Sequence, residues 1–114
     1  MTHYKIGDVV LVGFVFSEQT GKKQRPAAVI SCESYNKSRQ EIIIAGITSN
    51  IHRKLKGEIH IRHWKEANLL YPSVISGVIQ TIKREMVVRR FGELHPDDLK
   101  NYQQTVSREI LGLG

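Results

Sequence analysis

The sequence reads as a mainly β chain that ends in one α-helix, its strands closing wholly or partly into an antiparallel barrel. Three observations point there. Short β-branched and aromatic runs recur from Val9 to Arg90 between polar, turn-forming stretches, the pattern of strands rather than helices. The clearest helical period comes only after Pro96. The 114 residues make a single domain, 1–114, with a modest core, in which barrel closure removes exposed strand edges.

Gly7-Asp8 leads into Val9-Val10-Leu11-Val12-Gly13-Phe14-Val15-Phe16, which is short for a buried helix and rich in β-branched residues, hence the first strand. Ser17 to Arg25 is a loop carrying Gly21, and Pro26 holds Arg25 extended as the next strand opens. Ala27 to Cys32 is that strand, Glu33 to Arg39 is polar and turn-prone, and Glu41 to Ile47 is a third β-branched run. Gly46 marks a bulge or a close backbone approach near its end. Thr48 to Gly57 is a basic loop. Glu58-Ile59-His60-Ile61 alternates as a half-buried strand does, turning His60 away from Ile59 and Ile61.

Arg62 to Leu70 is a short helical turn and loop whose Trp64, Leu69 and Leu70 pack over the sheet. Ser73 to Ile75 and Val78 to Ile82 are two short strands around Ser76-Gly77, Lys83 to Met86 is one helical turn, and Val87 to Arg90 is a last short strand. The terminal helix has Pro96 at its first position, Asp97 and Asp98 at its positive end, and Leu94 with Leu99 as a hydrophobic staple. Leu99, Tyr102, Val106 and Ile110 form one stripe that must cover the sheet, and Gly112 permits the stop.

Composition narrows the function classes. With 40% hydrophobic and 25% charged residues, the chain folds rather than staying disordered. The longest apolar stretch, Val9 to Phe16, is too short to cross a bilayer as a helix. Met1 to Lys5 shows neither an apolar segment nor a processing site, so no signal peptide is expected and the predicted location is the cytoplasm. Cys32, the one cysteine, excludes an intrachain disulfide and a Cys-rich metal cluster, and reads as a small core or edge residue in a reducing compartment. The net charge of +6 is concentrated: between Thr20 and Lys65 stand ten Lys/Arg against three acids. Such a field suits a phosphate backbone, an acidic protein partner or a solvated face.

The sequence holds no phosphate-binding glycine loop, no His-Glu-x-x-His, no calcium-loop spacing and no Gly-x-Ser-x-Gly. The five histidines, at 3, 52, 60, 63 and 95, form no zinc spacing, and no metal site is expected. Gly7-Asp8 reads as the start of a strand rather than a catalytic acid, and Trp64 as core packing in preference to RNA stacking.

Gly7-Asp8-Val9-Val10-Leu11-Val12, then Gly21 to Ile30 with Arg25-Pro26-Ala27-Ala28-Val29-Ile30, then Ile42-Ile43-Ile44-Ala45-Gly46-Ile47-Thr48-Ser49 together resemble the MazF/PemK family of toxin endoribonucleases. Pro72-Ser73-Val74, Gln80-Thr81-Ile82 and the terminal helix continue the order, so the resemblance runs from Gly7 to Leu111. It implies a compact SH3-like, plasmid-maintenance-toxin barrel, a homodimer, no cofactor, and inhibition by a cognate antitoxin. It also implies metal-independent cleavage of single-stranded RNA through the RNA's own 2′-hydroxyl, leaving a 2′,3′-cyclic phosphate and a 5′-hydroxyl. A noncatalytic RNA- or protein-binding barrel is the alternative.

Residue by residue, the resemblance gives catalysis to Arg25 of the Arg-Pro pair and to Thr48 after the third strand. Arginine offers a fork of donors to a phosphate and threonine a hydroxyl donor beside it; taken alone, Arg25 reads equally as a surface arginine and Thr48 as a strand-end cap. Ser49, Asn50 and Ser73 are candidates for RNA contacts, with Lys22, Lys23, Arg53, Lys54 and Lys56 as basic ones. Family members often carry an acidic residue near the position of Ser73, where this chain has Tyr71-Pro72. The Thr48 to Gly57 loop, through Arg53, Lys54 and Lys56, suits either phosphates or an acidic antitoxin segment, or remains a plain solvent loop.

Overall fold

A computed structural model describes residues 3–15, 22–52 and 55–114. The elements are β1 (Asp8–Val15), β2 (Lys22–Val29), α1 (Glu33–Ser38), β3 (Glu41–Thr48), β4 (Ile59–His60), β5 (Val74–Lys83), β6 (Val87–Glu93) and α2 (Pro96–Thr105). A 3-10 turn lies at Arg84–Met86 and a π-type turn at Val106–Ile110. All six strands form one antiparallel sheet in the order β4-β5-β3-β2-β1-β6.

The apolar run of β1 is unbroken because the sheet is covered on both faces. Val9 packs with Ala28, Ala45, Ile47 and Ile75 on one face, and Val10 and Val12 with Ala27, Val29, Ile42 and Ile44 on the other. The terminal helix closes the first face, where Leu99, Tyr102 and Val106 pack on the cluster, as the stripe requires. The Tyr102 hydroxyl is buried with no hydrogen-bond partner among the described residues, and burial pushes its pKa far up. The bulge expected at Gly46 is present, as a register shift between Ala45 and Ile47 against β5.

Several boundaries differ from the sequence reading. β2 begins at Lys22, inside the expected loop, and stops at Val29, so Cys32 is an exposed residue ahead of α1 rather than part of the core. There the Ser34 hydroxyl, 3.3 Å from its sulfur, pulls the Cys32 thiol pKa down. The stretch after it is helical, because the buried Asn36 amide bonds the carbonyls of Tyr4 (2.8 Å) and Ser31 (3.1 Å); a tertiary anchor overrides the turn-like composition. Val74–Lys83 is one strand of ten residues, not two. Ser76-Gly77 is a crossing point, where a side chain at Gly77 would meet the Lys56 carbonyl at 3.3 Å. Leu69 and Trp64 join the core as expected, but Leu70 is 82% exposed. Phe16 and the Ser17 to Gly21 part of the expected loop lie outside the described residues.

Two local features matter below. Asp8, fully buried, accepts the Lys5 N–H at 2.9 Å and lies 3.2 Å from Lys5 Nζ and 3.5 Å from Arg90 Nε. Lys5 Nζ also reaches Glu93 at 2.7 Å. On the outer edge of β6, Asn68 adopts φ +64° and its amide donates to the Phe91 carbonyl at 2.7 Å. The Ala67 carbonyl would lie 2.2 Å from a Cβ on Gly92, so only glycine admits this chain crossing.

Candidate active site in the β2–β3 cleft

Pro26 sits in β2 between β1 and β3 and has no N–H to donate. The β2–β3 ladder runs from Val29↔Ile44 only to Ala27↔Gly46. Past that rung, between proline and bulge, Pro26–Arg25 and Ile47–Thr48 are unpaired with each other and line a cleft of about 540 Å3. Leu11, Ile47, Leu69 and Phe91 supply its apolar surface, and Gln24, Arg25, Thr48, Ser49, Asn68, Tyr71, Ser73 and Arg89 its polar one. A smaller groove of about 220 Å3 shares Arg25, Pro26, Ile47 and Thr48 and continues past Phe14 and Gly46 toward Ser76 and Gln80. Arg25 and Thr48 thus stand where two depressions meet.

Neither depression has a carboxylate or an imidazole among its described lining residues. Arg25 is exposed. Arg89 lies over the Phe91 ring at 5.6 Å, a contact that steadies the guanidinium without neutralising it. Both cations therefore face the cleft with their charge available to an anion.

The two hydroxyls of the site differ in polarity. Thr48 Oγ1 accepts the Asn50 N–H at 3.1 Å, so its own proton is available to an incoming acceptor. Ser73 Oγ donates to the Tyr71 carbonyl at 2.7 Å, so it presents lone pairs and suits a donor on the ligand. The arrangement combines two guanidinium forks, a hydroxyl donor and a hydroxyl acceptor over an apolar floor, which fits an extended anion carrying flat apolar groups.

Of the residues singled out from sequence, Arg25, Thr48, Ser49 and Ser73 come together here. Asn50 does not line the cleft and acts on Thr48 through its backbone. Lys23 stands opposite Phe14 and Lys22 opposite Val15, farther along the β1–β2 ladder; Lys56 lies beside Gly77. Arg53 and Lys54 fall outside the described residues. Sequence reasoning missed Arg89, Asn68, Tyr71 and Gln24. Arg89 carried no signal in the sequence: the β1–β6 register, which sets it against Leu11, brings it to the cleft.

Residues 5–110 match the PemK-like, MazF-like toxin of type II toxin-antitoxin systems. The chain belongs to this toxin family. Solved structures agree on the fold. A mycobacterial endoribonuclease in complex with its cognate antitoxin superposes with a TM-score of 0.74 at 16% identity, covering 100% of this chain and 98% of that one. A chain of the MazE-MazF crystal structure (Form-II) from Deinococcus radiodurans gives 0.76 at 18%, with 100% of both chains covered. Mycobacterium tuberculosis toxin MazF-mt6 gives 0.75 at 20%, over 94% of this chain and 98% of that one. At these identities the likeness is one of fold. No curated protein matches the sequence significantly. Membership in the MazF-like family agrees with the order of segments quoted above, and the cleft lies between the two of them that carry Arg25 and Thr48. Among the described residues, no helix is long and apolar enough to cross a membrane.

Proposed function

We propose that this MazF-like toxin is a cytoplasmic endoribonuclease that cleaves single-stranded RNA in the β2–β3 cleft without a metal ion. The observation that carries the reading is the exposed Arg25 guanidinium beside the Thr48 hydroxyl, in a cleft whose described lining holds no carboxylate. The RNA's 2′-hydroxyl gives its proton to solvent as its oxygen attacks the adjacent phosphorus, the bond to the 5′-oxygen breaks, and a 2′,3′-cyclic phosphate forms as the leaving oxygen takes up a proton from solvent. Charge accumulates on the phosphoryl oxygens, where Arg25 donates a fork of hydrogen bonds and Thr48 a single one. Arginine, with a reference pKa above about 12, serves in charge stabilisation rather than proton removal. Ser49, Ser73, Tyr71, Asn68 and Arg89 hold the flanking nucleotides, the exposed Tyr71 ring offering a base a stacking face.

A second copy of the chain completes the particle, and an acidic antitoxin segment covers the Arg25 to Lys56 surface. The accessible surface of 7317 Å2 exceeds the roughly 6,300 Å2 that scaling gives a monomer of this mass, and Val78, Val88, Leu111 and Leu113 are exposed. Sedimentation across micromolar concentrations should show a dimer; a folded, active monomer throughout would refute that part.

The chemistry is tested with purified protein and unpaired RNA in excess chelator. Cleavage should persist, give cyclic-phosphate ends, and stop when the 2′-hydroxyl at the scissile position is replaced by hydrogen. Equal cutting of the deoxy linkage would refute attack by the RNA's own hydroxyl. Binding without any cleavage would support the noncatalytic barrel instead.

A further inference from the structure

Away from the cleft, His63, His95 and Asp97 bring their ligating atoms within 4.8 Å of one another. His63 lies in the turn after β4, and His95 is the residue that caps α2. Their rings stack with centroids 3.9 Å apart and planes inclined by 22°. Asp97 Oδ2 is 3.6 Å from His63 Nε2 and 3.7 Å from His95 Nδ1, and Glu66 Oε2 is 3.3 Å from His63 Nδ1. The backbone beneath is fixed, because the buried Asp98 carboxylate accepts the N–H groups of Arg62 at 3.0 Å and His63 at 2.8 Å. That bond pair ties the turn bearing His63 to the first turn of the helix bearing His95 and Asp97.

We propose that His63, His95 and Asp97 form a site for one divalent transition-metal ion, best matched by zinc, which clamps α2 to the β4–β5 connection. Two imidazole nitrogens and a carboxylate oxygen are a zinc ligand set, with water in the fourth position. Bonds of about 2.0–2.1 Å in a tetrahedron put ligand atoms roughly 3.3–3.4 Å apart. The carboxylate contacts of 3.6 and 3.7 Å need a closure of a few tenths of an ångström, and the two partly exposed imidazoles must turn out of their stack so that both lone pairs meet on one ion.

Glu66 Oε2, 3.3 Å from His63 Nδ1, stands where an outer-shell carboxylate orients a metal-bound imidazole in zinc sites. His95 Nδ1 accepts the Asp97 N–H at 3.1 Å, so an ion bound at this nitrogen takes the place of the helix cap and leaves that N–H to water. None of the three ligands lines the cleft, so the site stabilises the fold and stays apart from the proposed cleavage.

The test uses the whole chain, freed of metal, titrated with Co2+ and followed by its visible absorption, then back-titrated with Zn2+ and melted with and without Zn2+. One ion should bind per chain, zinc should displace cobalt, and zinc should raise the melting temperature. His63→Ala and His95→Ala should each weaken binding by about 100-fold and Glu66→Gln by roughly tenfold, while His60→Ala changes nothing. Asp97→Asn, at an exposed position, keeps the test interpretable if a histidine variant fails to fold. Chelator should lower the melting temperature and leave RNA cleavage untouched. Absence of cobalt absorption up to millimolar metal, or undiminished binding in folded His63→Ala, His95→Ala and Asp97→Asn proteins, would overturn the proposal.

Discussion

Arg89 and Arg90 are adjacent on β6 and both border a shallow depression with Glu66 and Glu93, yet they differ in their partners. Arg90 reaches the buried Asp8 and, at 3.9 Å, Glu93; with Lys5 these groups neutralise one another and pin the start of β1. Arg89 turns into the cleft with Arg25, where the described lining offers aromatic and hydroxyl neighbours and no carboxylate. The contrast teaches how to read a basic chain: total charge says little, and the cations that matter for a ligand are those the fold leaves without an anion. A phosphate entering the cleft supplies the partner that Asp8 already supplies to Arg90.

The comparison breaks most sharply at its two centres. Arg25→Ala should lower single-turnover cleavage by roughly 10²–10³-fold, the usual cost of removing one transition-state donor, with a melting temperature near that of the parent. Thr48→Ala should lose less and Thr48→Ser less still, since the hydroxyl survives. Normal rates in folded Arg25→Ala and Thr48→Ala proteins would end the catalytic assignment.

Asp8→Asn should do the reverse. It removes a buried charged acceptor, costing about 2 kcal/mol, or roughly 8 °C in melting temperature for a chain of this length, while the cleavage rate per folded molecule stays unchanged. The two arginines then separate on a finer scale. Arg89→Ala should reduce the salt dependence of RNA binding by about one unit of slope and leave the urea midpoint alone; Arg90→Ala should lower the midpoint and leave the slope alone. A shared phenotype would erase the distinction.

The smallest effect lies in pH. The Lys5 hydrogen bond holds the Glu93 pKa below its ordinary 4.5, so its contribution to stability is present above that value and lost as pH falls through the lowered one. The midpoint difference between parent and Glu93→Gln should therefore be measurable at pH 7, shrink with added salt, and vanish in acid.

Strand content, the Gly46 bulge and the helical stripe were legible because each has a local cause: β-branched runs, a lone glycine, a 3.6-residue period; Arg25 and Thr48 were singled out only through the family resemblance, since alone they read as a surface arginine and a strand-end cap. What escaped depended on contacts between distant segments. Asn36 makes a helix of a turn-like stretch only through the Tyr4 carbonyl; β5 continues through Gly77 only because another segment crosses there. Arg89 joins Arg25 through a register that no spacing shows, and His63 meets His95 only once Asp98 has docked the helix.

The covered edge of β6 has a consequence for how the molecule behaves in company. A sheet can grow wherever a long strand shows its unpaired amides and carbonyls to another chain. This one ends on one side in β4, just two residues long, and on the other in a strand that carries Arg89, Arg90 and Glu93, bends through two register shifts against β1, and has its Phe91 carbonyl occupied by Asn68. Neither side offers a flat template to copy. Replacing Gly92 by any larger residue would push the Ala67–Asn68 backbone off that edge and uncover the Phe91 carbonyl, leaving the charged side chains and the two register shifts as the remaining guard against pairing with another chain.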